Sequence, residues 1–373
     1  MVPTKRHQGN VMNAQPELLN VSHKLPPASY YDPAWLDKER QQLFGNSWLF
    51  GGLETDVPDV GSYKTVKVGL SELVVVRDQE GALRAFHNTC RHRGAQLVQG
   101  SGKCKTLVCP YHKWGYGLDG QLRGVAQKNQ YSDLNVAELG LHAASVDTWM
   151  GLIFVHADDN PQTSLADWLG GLKNELGIFQ VDKLQELTRH TFTFPANWKL
   201  YIENHVDWLH LWYVHPETLG AFKHDQGERT QYGRHWSSFE QVKDEFRDTE
   251  SGSDPLKAIS HLEHQDPRYL GVGAHFIFPN LPVFTGRGFF ATAELIPETP
   301  DKTTMDVRIY GVPGGDVDTF LAIFNEITKG EDVAIIESIQ KNVRSPRYGV
   351  GPITHTLEKA ISDFHDNYLA LVD

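Results

Sequence analysis

The sequence is poor in several features that mark large classes of protein. It has only three cysteines among 373 residues, too few for a disulfide scaffold. No stretch approaches the roughly 18 consecutive apolar residues that a membrane-spanning helix needs. Residues 1–20 are polar and lack an apolar run, so no secretion signal is expected and a cytoplasmic location is. Positive charge is scarce: 35 lysines and arginines face 47 aspartates and glutamates, a formal net charge of −12. That balance argues against a nucleic-acid surface. No G-x-G-x-x-G follows a candidate strand, so no nicotinamide or flavin site is legible. Internal repeats and low-complexity runs are missing as well.

Histidine, by contrast, is plentiful, with 18 in the chain. Few cysteines and many histidines point to metal chemistry in a reducing compartment. From about Trp48 to Phe154 short apolar segments alternate with turns. Strands are expected at 63–68, 73–77, 82–88 and 152–155, and Asp119-Gly120 is a hairpin signal. Past Pro161 the pattern turns helical, with Leu165, Trp168, Leu169 and Leu172 behind a capping Ser164. Further strands are expected at 189–194, 275–278, 288–295 and 304–310. One helix is expected over 198–215, ended by Pro216. Another is expected over 331–343, with Val333, Ile336, Ile339 and Val343 as its apolar stripe. These elements do not alternate as βαβ units. The expected fold class is therefore α+β: a small antiparallel β-domain, then a larger domain with a central antiparallel sheet and flanking helices. The divisions are an arm and helix over 1–44, a first domain over 45–160 and a second over 161–373.

The first constellation is Cys90-x-His92, sixteen intervening residues, then Cys109-x₂-His112. Two thiolates and two imidazoles on paired loops can hold a [2Fe–2S] cluster, with both thiolates on one iron and both histidines on the other. Neutral imidazoles lower the cluster's negative charge and raise its reduction potential. The competing reading is structural zinc, but zinc fingers pair cysteine with cysteine and histidine with histidine, whereas each pair here is mixed. Cys104 is read as an ordinary loop residue.

The second constellation is Asn197-Trp-Lys-x₃-Glu203-Asn204-x₂-Asp207-x₂-His210-x₄-His215-Pro216. Non-haem Fe(II) sites use two histidines and a carboxylate, leaving positions open for O₂ and substrate. In a regular helix, residues five apart diverge by about 140°. A widened or unwound turn near the helix end is needed to bring His210 and His215 together. The competing reading is an amphipathic core helix with structurally satisfied histidines, although three ionisable groups among so many aromatics are costly without a partner.

Both motifs resemble those of Rieske non-haem iron oxygenases, over nearly the whole chain beyond the first thirty residues. The family's C-x-H-R-G and C-P-Y-H-x-W patterns are present, with Lys113 where the family usually has glycine. Lys113 is expected to bear on the cluster's potential or on a contact surface. The resemblance implies that Cys90, His92, Cys109 and His112 bind a Rieske cluster and that His210 and His215 bind mononuclear Fe(II). Glu331-Asp332-x₄-Glu337-x-Ile339-Gln340 is similar to the family's C-terminal pattern and implies Asp332 as the third ligand, with Glu331 and Glu337 as rivals. Asp207 becomes the carboxylate that bridges to a Rieske histidine of a neighbouring subunit, in a head-to-tail ring, most often a homotrimer. Electrons are expected from a separate NAD(P)H-dependent flavin/iron–sulfur reductase, directly or through a ferredoxin. The reaction implied is O₂-dependent hydroxylation or oxidative demethylation of a small amine, quaternary ammonium compound or aromatic acid. Cis-dihydroxylation of an aromatic ring is the alternative, and an electron carrier or a zinc protein the alternative of another class. Trp208, Trp212, Trp236, Phe276, Phe278 and Phe284 are candidate substrate contacts, since aromatics can hold a ring or a quaternary ammonium. Relatives acting on carnitine or choline often carry Tyr where this chain has Leu209.

Overall fold

A computed structural model describes residues 22–246, 255–349 and 351–372. The first domain is built on a seven-stranded antiparallel sheet. Its strand order is Leu49–Leu53, Leu152–His156, Ala143–Trp149, Leu83–His87, Ser71–Arg77, Ser62–Val68 and Ser101–Lys103. The apolar run Leu73-Val-Val-Val76 is buried throughout because the sheet is covered on both faces. Leu73 and Val75 join the main core, while Val74 and Val76 join a second core with Cys90, Cys109, Trp114 and Tyr116. A three-stranded sheet, Leu107–Val108, Gly115–Tyr116 and Leu122–Gly124, carries the loop between Cys109 and Trp114. Its hairpin turns at Asp119-Gly120, and Gly120 takes the left-handed conformation (φ 79°) that the turn requires.

The second domain has a seven-stranded, wholly antiparallel sheet. Its order is Gln185–Phe194, Lys302–Gly311, Phe289–Thr299, Leu281–Gly286, Val272–Ile277, His235–Glu240 and Glu228–Tyr232. The helices Trp198–Val206, Val333–Asn342 and Lys359–Val372 share its main core, with Trp198, Phe276, Phe278, Ile336, Phe364 and Tyr368 among the residues buried together. The short helix Pro33–Lys38 and the turns after it are fastened to this core by Glu39. That buried carboxylate accepts from Trp198 Nε1 at 2.9 Å, Lys199 Nζ at 2.5 Å and Tyr368 Oη at 2.7 Å. A buried ion pair needs such additional donors to offset its desolvation.

The segment after Pro161 is helical as expected, with Leu165–Leu169 behind the capping Ser164 and then Leu172–Gly177, and Gly170 between them at φ 54°. Two helical expectations are corrected. The helix expected over 198–215 is two helices, Trp198–Val206 and Leu211–Val214. The chain is extended at Asp207 (φ −71°, ψ 135°). Its carboxylate there takes the backbone N–H of Leu209 at 2.7 Å and of His210 at 3.3 Å. An aspartate that satisfies the following N–H groups competes with helix continuation. The helix expected from 331 begins instead at Val333, after a π-helical stretch Glu326–Asp332.

Candidate metal centres

The two loops bury Cys90 and Cys109 in one core and bring His92 beside His112. Cys90 and Cys109 are buried, unpaired thiols. The imidazoles of His92 and His112 lie 4.7 Å apart, centre to centre, and His92 stacks on Trp114 at 4.8 Å. His92 Nδ1 is sealed from solvent and has no hydrogen-bond partner. A buried lone pair without a partner is costly, and iron would satisfy it, so the donor set fits a [2Fe–2S] cluster of mixed ligation. Tyr116 Oη lies 3.3 Å from Cys90 Sγ and accepts the N–H of Arg91 at 3.0 Å, an added polar partner for that thiolate. Cys104 is half-buried in the turn between Ser101–Lys103 and Leu107–Val108 and packs against the core that holds Cys90 and Cys109. Lys113 is exposed and holds φ 57°, a left-handed conformation that explains why glycine suits this position.

The second centre lies where the two helices Trp198–Val206 and Leu211–Val214 meet the end of the π-helical stretch. His210 precedes a single helical turn and His215 follows it, unwound at φ −116°, ψ 39°. The imidazoles thereby converge, with ring centres 5.1 Å apart. Asp332 Oδ1 lies 2.9 Å from His215 Nε2 and 3.6 Å from His210 Nε2. The three ligand atoms are within 4.8 Å of one another. Both outer nitrogens face carboxylates: His210 Nδ1 is 3.2 Å from Asp207 and His215 Nδ1 is 2.7 Å from Glu331. Those bonds place the ring protons on Nδ1 and leave the Nε2 lone pairs turned toward one point, the tautomer metal ligation needs. Without a metal, burial would lower His210, but Asp207 and Asp332 hold it up to about 9. Burial likewise works to raise Asp332, and the two histidines bring it down to about 2. Asn204 Nδ2 donates to Asp332 Oδ1 at 2.9 Å and steadies it. The residues therefore fit an Fe(II) of two histidines and one carboxylate, with Glu331 beside it and Glu337 not in the group.

A second cluster of possible ligands, His23, Glu203 and His365, has similar spacing. Its hydrogen bonds are of another kind. The backbone N–H of Lys24 donates to His365 Nδ1 at 3.1 Å, so His365 carries its proton on Nε2 and donates it to Glu203 at 2.8 Å. Tyr30 Oη donates to the same carboxylate oxygen at 2.5 Å. This hydrogen-bond network ties residues 23–30 and the last helix to the helix Trp198–Val206, while His23 Nδ1 is buried in it without a partner.

The aromatic candidates scatter. Phe284 meets the His205 ring edge-on at 4.9 Å and Phe324 at 5.2 Å, next to the triad. Trp208 packs on Trp236 at 6.1 Å and lies under the Arg229 guanidinium at 4.8 Å. Trp212 is partly exposed beside His224 at 5.4 Å. Phe276 and Phe278 pack on Phe364 of the last helix, as ordinary core. Sequence reasoning missed Asn204 and His205. Their signal was their place in Glu-Asn-His-Val-Asp, on the helix that leads to His210.

Comparison with known proteins follows the same division. Residues 47–142 match the Rieske [2Fe-2S] domain, and residues 181–373 match the ring hydroxylating alpha subunit (catalytic domain). Choline monooxygenase, chloroplastic, of Atriplex hortensis is 29% identical over 91% of this chain and 76% of its own. The glycine betaine monooxygenase oxygenase subunit of Pseudomonas aeruginosa strain UCBPP-PA14 is 29% identical over 93% of this chain and 88% of its own. The crystal structure of the quaternary ammonium Rieske monooxygenase CntA with L-carnitine superposes with a TM-score of 0.75, at 22% identity over 93% of this chain and 94% of that one. This last likeness is one of fold.

Proposed function

This chain belongs to the ring-hydroxylating alpha-subunit family of Rieske non-haem iron oxygenases, and on that premise we propose that it oxidises a small quaternary ammonium compound by hydroxylation or oxidative demethylation. The family membership makes it an oxidoreductase with a [2Fe–2S] cluster and a mononuclear iron. The bound iron supplies O₂ activation, and the cluster supplies an electron. The carrying observation is the convergence of His210, His215 and Asp332, each histidine backed by a carboxylate on Nδ1. In this reading Cys90, His92, Cys109 and His112 hold the cluster.

Charge supports the substrate class. Asp207, Glu331 and Asp332 bring three carboxylates to two neutral imidazoles, so a divalent iron leaves one negative charge in excess. A cationic substrate suits that field, and the relatives named for choline and glycine betaine point the same way.

Asp207 orients His210 and, in this reading, links it to a Rieske histidine of the next subunit in a head-to-tail homotrimer. Exposed aromatics at both ends support such docking: Tyr111, 56% exposed, beside His112, and Tyr213, 78% exposed, between the iron histidines. Electrons come from a separate NAD(P)H-dependent reductase. The test is O₂ uptake and product mass with the reduced protein, comparing choline, glycine betaine and carnitine with aromatic acids. Coupled uptake with a quaternary ammonium compound supports the reading, and uptake with aromatic acids alone overturns it.

A further inference from the structure

His205 stands on the helix that leads into the iron triad, and the triad makes no use of it. Its Nε2 lies 2.7 Å from the carbonyl oxygen of His275. A carbonyl only accepts, so the ring proton is on Nε2 and Nδ1 is a bare lone pair. Among the described residues none donates to that lone pair, and the residue keeps a small exposure of 8%. His275 cannot turn away to release the ring. Its own nitrogens are engaged by Ser237 Oγ at 2.9 Å and Thr285 Oγ1 at 2.8 Å. The imidazole stays neutral: burial pushes it down to about 4, against the opposing pull of the His275 carbonyl and Asp332. Asn204, the residue before it on the same helix, donates to Asp332 Oδ1 at 2.9 Å, so His205 leaves the helix one residue from the contact with the triad. Phe284 closes its other side, edge-on at 4.9 Å.

We propose that His205 is a specificity-determining residue, whose Nδ1 accepts a hydrogen bond from an O–H or N–H of the substrate. The site then favours substrates that carry a donor over those that offer only a carboxylate or an ether oxygen. This rests on the reading of the iron site as one for small organic cations, and it narrows that class toward hydroxyl-bearing members such as amino alcohols. The reason is an asymmetry of hydrogen bonding. A donor satisfies the lone pair, whereas a carboxylate or ether sets one lone pair against another in a poorly hydrated site. Sites built to pair with a substrate hydroxyl reject analogues that lack it.

The test measures dissociation constants by titration calorimetry on the iron-loaded protein, for pairs that differ only in the donor. The pairs are choline with its methyl ether and para-hydroxybenzoate with its methyl ether. The hydroxyl member should bind more tightly by roughly 10- to 100-fold. His205→Phe should abolish that preference by weakening the hydroxyl member alone. His205→Asn, which keeps an acceptor near the position of Nδ1, should retain most of it. Choline and its ether binding equally to the unaltered protein, or both members weakening alike in His205→Phe, would overturn the role of His205 and leave the cationic substrate class standing. A donor preference confined to the aromatic pair would overturn the cationic class and leave His205. Binding of neither pair overturns both.

Discussion

The Nδ1 atom of His215 lies 2.7 Å from Oε2 of Glu331, and Thr218 Oγ1 donates to the same oxygen at 2.7 Å. Glu331 thus holds the ring whose other nitrogen faces Asp332, the next residue along the chain. Glu331→Ala should free the ring and weaken mononuclear iron by about 10- to 100-fold. Iron retention during timed exposure to a chelator measures this, and the cluster's visible spectrum should not change.

In the proposed iron site His210→Ala removes a donor rather than its support. Mononuclear iron should be lost while the brown cluster remains, because the two donor sets share no residue. Metal counting beside the optical spectrum checks it. Loss of both metals together would contradict separate sites.

Asp207→Ala should keep both metals and still lower turnover by on the order of 100-fold. The change removes both the hydrogen bond to His210 Nδ1 and the proposed link to the neighbouring subunit. Stopped-flow reduction of the cluster followed by product quantification separates the steps. Normal turnover would remove the linking role.

Glu294 carries a pH prediction. It lies in the cavity of about 210 Å³ between the domains, facing Asp306 of the adjoining strand and the cations Lys64, Arg308 and Arg189. Burial and then Asp306 raise its carboxyl to about 7 from an ordinary 4.5, against the pull of those cations. The folded protein therefore holds this proton more tightly than the unfolded chain. Stability from this group is full at low pH and falls as pH rises through that window. Glu294→Gln should match the unaltered protein near pH 4.5 and exceed it above pH 7, by on the order of 1–3 kcal/mol. Denaturant melts at the two pH values read the difference.

Lys113→Gly should stabilise the holoprotein by about 1 kcal/mol, since a side chain with Cβ is strained at φ 57°. Thermal melts of this variant beside Lys113→Ala test the cause, because only glycine relieves the strain.

Much of the architecture was legible from local pattern. The strands Ser62–Val68 and Ser71–Arg77 begin one and two residues ahead of the expected 63–68 and 73–77, since short apolar segments between turns are a local signal. The loops proposed to hold the cluster stood out in the sequence because metal donors are few in kind and must recur at short spacing. The helix through Asp207 was misread because apolar periodicity carries across a break made by one carboxylate capturing two N–H groups. The aromatic candidates were over-read for a related cause: composition does not say which face of the sheet or helix a ring occupies. Phe276 and Phe278 went to the core against Phe364, and Phe284 met the ring of His205.

By itself the sequence determined the donor types, their spacing along each loop and the division into a β-rich first part and a mixed second part. All of these are local or compositional. Only the tertiary structure decided that Asp332 reaches His215 while Glu331 buttresses it, since two adjacent carboxylates are told apart by the turn of a π-helical segment. Only the tertiary structure, too, set the proton of His205 on Nε2. The carbonyl that claims it belongs to His275, 70 residues away in sequence, and no local pattern records such a meeting.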